Sequence, residues 1–95
     1  MKTMGQETAQ MVAIRALGWI AAQDEVFQAF MGATGASLPE IRARAEDPAF
    51  QAAVLDFLLL QDDWVLGFAG DTGLRPEDPL QARAVLGGGD MAHWT

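Results

Sequence analysis

The chain contains a repeat of itself. Residues 14–35 set against residues 52–73, a shift of 38, place Leu17, Gln23, Asp24, Phe30, Gly32, Thr34 and Gly35 on Leu55, Gln61, Asp62, Phe68, Gly70, Thr72 and Gly73. Trp19 with Phe57, Ile20 with Leu58 and Glu25 with Asp63 are chemical equivalents. After a one-residue insertion, Ala43-Arg44-Ala45 falls on Ala82-Arg83-Ala84. Self-similarity at a fixed period of this length marks one supersecondary unit used twice. The matched positions include residues that start and stop helices, so the repeat goes beyond shared apolar composition.

Each unit reads as three helices. The first spans about 6–22, with Thr3 and Gln6 at capping-box spacing. Met11, Ile14, Leu17, Gly18 and Ala21 form one apolar stripe, and Val12, Ala16, Trp19 and Ile20 a second, which predicts a helix in the middle of a core. Its counterpart, about 48–60, starts with Asp47 as N-cap and Pro48 in the first turn. The second helices start at Asp24 and Asp62 as N-caps and stop at Gly35 and Gly73, where glycine accepts the left-handed conformation. Their apolar faces are Val26, Phe27, Phe30 and Met31, then Trp64, Val65, Phe68 and Ala69. The third helices are shorter. Ser37 with Glu40 makes a capping box, and Leu38, Ile41 and Ala45 share a face. Asp78-Pro79 repeats the start seen at Asp47-Pro48, and Leu80, Ala84 and Val85 should face inward. No clean period-two run suggests a sheet. The expected fold is all-α: a compact bundle of about six short helices in two tandem three-helix units with pseudo-twofold symmetry. The first helices cross at its centre. Residues 1–95 form one domain, with unit one at about 6–46, unit two at about 47–88 and a flexible tail over 89–95.

Composition narrows the function. Hydrophobic residues make up 51% of the chain, enough for one modest core. With no cysteine, the chain can form no disulfide, thiol nucleophile or zinc ribbon. Thirteen acidic residues against six basic ones leave a net charge of −7, which repels phosphate backbones and anionic lipid. Neither nucleic acid nor a membrane is expected as a partner. The start of the chain lacks a signal-peptide pattern, and the apolar windows are shorter than the ~20 residues a bilayer requires, which suggests a cytoplasmic protein.

The motifs that could carry chemistry have plainer structural explanations. Asp71-Thr72-Gly73 has the letters of an aspartic-protease site, but that chemistry needs two carboxylates sharing a proton. Here the tripeptide falls at a helix end, and its repeat partner Ala33-Thr34-Gly35 lacks the acid. Gly87-Gly88-Gly89-Asp90 has no strand before it, and no helix or lysine after it, to build a phosphate loop. His93 is the single histidine and cannot make a triad or a metal site alone. The pairs Glu46-Asp47, Asp62-Asp63 and Glu77-Asp78 sit at helix starts, where the helix dipole favours acids. No catalytic residue, metal or cofactor is expected. Arg15 and Asp56 are the charges inside the two most apolar helices. The repeat sets Arg15 opposite Ala53, one turn from Asp56, so the two are a candidate ion pair across the first-helix interface, the alternative being that each reaches water separately. Met91 and Trp94 are apolar residues in a tail that the core does not need, and are candidate partner-binding residues.

Several strings taken together resemble a known family: Ala16-Leu17-Gly18-Trp19-Ile20, the Phe30…Thr34-Gly35 turn with Pro39, Phe50-x-x-Ala53-Val54-Leu55-Asp56, and Pro76-Glu77…Ala84-x-Leu86-Gly87. Over residues 10–88 they are similar to the small alphaproteobacterial family catalogued as domain of unknown function 3572. That resemblance implies a helical fold and transfers no catalytic residue. Where the family pattern carries an acidic or small residue, this chain has Arg75, a departure that bears on the start of the last helix. The expected function is a non-catalytic helical interaction module that binds a protein partner or itself. The alternatives are a small-molecule-binding accessory protein with an aromatic pocket between the repeats, and a helix-turn-helix DNA regulator using Arg42 and Arg44, which the acidic charge disfavours.

Overall fold

The chain's helix ends explain where its elements begin and stop. The computed structural model describes residues 4–87. They form α1 (Gln6–Ala21), α2 (Asp24–Thr34), α3 (Leu38–Arg44), α4 (Pro48–Leu58), α5 (Asp62–Thr72) and α6 (Asp78–Gly87), and there is no strand among the described residues. At α3, Ser37 Oγ accepts the Glu40 N–H at 3.4 Å while Glu40 Oε1 accepts the Ser37 N–H at 3.0 Å. At α4, Asp47 Oδ1 accepts the Ala49 N–H at 3.0 Å. α2 and α5 end on Gly35 and Gly73, with φ of 71° and 79°. One turn back, Thr34 and Thr72 hydroxyls donate to the Phe30 and Phe68 carbonyls, and they accept the Ala36 and Leu74 N–H groups. The two units therefore terminate their second helices by the same set of bonds.

Four starts differ from expectation. The N-cap of α1 is Gly5, which has no side chain to offer, and Thr3 lies outside the described residues. Asp24 and Asp62 are not N-caps. Gln23 and Gln61 hold the extended cap conformation, and their carbonyls already accept from Phe27 and Val65, so the aspartates are the first helical residues. There their charge opposes the positive end of the helix dipole without making a cap bond. Asp78 likewise turns away from its own helix: its Oδ2 accepts the Arg75 N–H at 2.9 Å and its Oδ1 meets Arg75 Nη2 at 3.3 Å. It ties the preceding loop to α6.

The core is built on α1, α4 and α6, which pack pairwise against one another. α1 contributes a small-residue face, Ala9, Ala13 and Ala16 with Val12 and Ile20, and α4 a bulky one that includes Phe50, Val54, Leu55, Phe57 and Leu58. α6 fits between them with Pro79 and Ala82 buried. Leu80 and Ala84, expected inside, are exposed, because the face α6 turns toward α1 and α4 is the one that carries Pro79 and Ala82, with Val85 and Leu86 partly buried beside them. Met11 and Ile14 on α1, also expected inside, are exposed, and so is Leu38 on α3.

The aromatic residues lock the two halves together. Phe30 of α2 meets Phe57 of α4 edge-on, with ring centroids 5.2 Å apart, and Phe68 of α5 meets Trp19 of α1 in the same manner at 6.3 Å. The 38-residue shift converts one ring pair into the other, although α2 as a whole packs on α1 more than on α4. The equivalence does not reach the third helices. α6 packs along both α1 and α4, whereas α3 makes only sparse helix-to-helix contact. No helix among the described residues is long and apolar enough to cross a membrane.

Candidate functional site

α1 has more apolar faces than its neighbours cover. The side facing α4 and α6 is closed, but Ile14, Leu17, Gly18 and Ala21 lie on another flank. α3 is seven residues long and is held by its capping box and by buried Ile41, so it does not close over that flank. Between α1, α2 and α3 lies a groove of about 330 Å³, lined by Ile14, Leu17, Gly18, Ala21, Phe27, Leu38, Ile41, Arg42 and Ala45. Ile14 is 46% exposed and Leu38 44% exposed at its rim. A Cβ added at Gly18 would meet nothing within 4 Å.

One charge lines this groove. Arg42 makes no ion pair or hydrogen bond among the described residues. Its neighbour Arg44 lies over the Phe50 ring, 5.3 Å from the centroid, and helps seat α3 on α4. The Glu40 carboxyl is held below the usual glutamate range, first by the Ser37 backbone N–H, then by the Ser37 hydroxyl and the Arg44 charge.

The other residues singled out in the sequence have different places. Arg15 and Asp56 do not meet. Asp56 pairs with Arg83 of α6 (Nε to Oδ1, 2.5 Å), and Arg15 is exposed without a partner among the described residues. α6 occupies the seam between α1 and α4, so its own arginine reaches Asp56 first. Asp71 of the Asp-Thr-Gly string accepts the Trp19 indole N–H at 2.7 Å, which is a structural duty. Met91, His93 and Trp94 lie outside the described residues. Trp19 packs edge-on against Phe68 and Phe30 edge-on against Phe57, with Phe57 and Trp64 stacked at 4.8 Å. No group of three or more potential metal ligands occurs among the described residues. A smaller cleft of about 220 Å³ lies between the starts of α1 and α6, where Arg75 and Asp78 hold each other.

The groove escaped sequence reasoning because Ile14, Leu17 and Leu38 look like core residues. The available signal was Gly18, a helix-weakening residue inside a strongly apolar helix.

A family model described as "Protein of unknown function (DUF3572)" matches residues 6–89. The chain belongs to the DUF3572 family. The DUF3572 match takes in all six helices and every residue lining the groove. No curated protein and no solved structure matches the chain.

Proposed function

We propose that this DUF3572 protein is a non-catalytic interaction module that receives a protein partner in the α1–α3 groove. The observation that carries the proposal is the apolar groove itself, about 330 Å³, with Ile14 and Leu38 half exposed at its rim. Apolar surface left in water costs about 25 cal/mol per Å², and a partner's apolar side chains would recover it. Five carboxylates elsewhere are committed to structure: Asp47 and Glu40 cap helices, Asp56 pairs with Arg83, Asp71 holds an indole and Asp78 ties a loop. That pattern supports a binding role over catalysis. The net charge of −7 makes two copies repel, which favours a different protein as partner over self-association and disfavours nucleic acid.

The test is selection of peptides from a random display library against the purified chain. Binding to the groove should be lost in Ile14→Asp and kept in Leu66→Asp, which alters an exposed leucine outside it. Selected peptides indifferent to Ile14→Asp would refute the site.

A further inference from the structure

Accepting that the groove binds a protein, we propose that the segment it takes is a short amphipathic helix carrying a carboxylate beside its apolar face, lying closest to α1 at Gly18. The groove walls are apolar side chains, with Arg42 as the one charged residue among them. An extended peptide laid there would bury backbone N–H and C=O groups against walls whose one hydrogen-bonding side chain is Arg42, whereas a helix satisfies its own. The α1 lining runs from Ile14 to Ala21, a length of about two helical turns, so the occupant presents anchors at i, i+3 or i+4, and i+7. Arg42 stands at this wall with no acidic partner among the described residues, and a carboxylate on the incoming helix supplies one.

Gly18 is the second observation. It sits inside α1, where glycine weakens a helix, yet no neighbouring atom would obstruct a side chain there. Internal packing therefore does not require it, and while Gly32 and Gly70 are equally open, Gly18 is the one of the three that lines the groove. A helix seated in the groove does, since close approach of another backbone needs the missing Cβ.

The experiment uses the full chain and the peptides selected as above, synthesised with each acidic residue intact or changed to lysine. Affinities are measured for wild type, Gly18→Leu and Arg42→Glu, together with the helicity of each bound peptide. Gly18→Leu should weaken binding by about tenfold or more while the melting temperature stays at or above wild type. Arg42→Glu should weaken the acidic peptides and bind the lysine versions better than wild type does. Peptides that lose binding to Ile14→Asp yet ignore both Gly18→Leu and Arg42→Glu would overturn this inference and leave the groove reading standing. So would peptides that bind in extended form. Peptides indifferent to Ile14→Asp would remove the groove reading itself. A dimer of the chain alone that Ile14→Asp dissociates would replace the helical partner with a second copy.

Discussion

The Trp19 indole of α1 is held by three residues of α5. Asp71 accepts its N–H, Phe68 meets it edge-on, and Gly67 lies beneath it, where a Cβ would stand 3.0 Å from Trp19 Cζ2. Gly67→Ala gains helix propensity of up to about 1 kcal/mol but overpacks a ring that Asp71 prevents from sliding, at a cost of about 1–3 kcal/mol. A net loss of about 1 kcal/mol in denaturant unfolding is expected, and a smaller loss in an Asp71→Ala background, where the ring can move. Gly18 is the opposite case. With nothing near its Cβ, Gly18→Ala should raise stability by about 0.5–1 kcal/mol in the same assay. A destabilised Gly18→Ala would mean that α1 itself needs the glycine.

At the level of elements, the termini carry much of the specification. Gly35 and Gly73 have open space around them, so replacing either with alanine costs only the left-handed backbone, about 1–2 kcal/mol in denaturant unfolding. Equal losses at the two positions would show that the duplicated ends are energetically alike. α3 depends on its capping box. Because the Glu40 pKa is lowered in the folded state, the stabilisation it lends is fully present above the ordinary glutamate pKa, and it fades as the pH falls through the lowered value. Amide protection factors in α3, corrected for the intrinsic pH dependence of exchange, should therefore fall on acidification, and Glu40→Gln should abolish that fall. An α3 equally protected on both sides of the Glu40 titration would contradict this. The capping box was legible from Ser37-x-x-Glu40 because it is local. The Asp24 and Asp62 caps were misplaced because the preceding glutamines' carbonyls take the first helical bonds.

For the whole molecule, the decisive placement is α6 between α1 and α4. Its Arg83 side chain is 16% exposed, and one guanidinium nitrogen is buried without a partner, so Asp56 is its main compensation. Asp56→Ala should cost about 1–2 kcal/mol, less than for a fully buried pair because Asp56 is itself 56% exposed. Arg83→Met should be close to neutral, since removing a poorly satisfied buried cation relieves its desolvation. If Arg83→Met proved the more damaging of the two, Arg83 would be holding the seam by packing.

The helical class, the number of helices and most of their ends follow from the residues in order, because capping boxes, glycine stops and apolar periodicity act within one or two turns. The reciprocal aromatic pairs were foreshadowed by the repeat, which set Trp19 on Phe57 and Phe30 on Phe68. Which apolar faces stay in water was decided by tertiary packing. α3 and α6 come from matching stretches, yet one is wedged into the core and the other stands off and leaves a groove. An apolar stripe records that a face can be buried. Only the competition among helices for the same space determines which faces are.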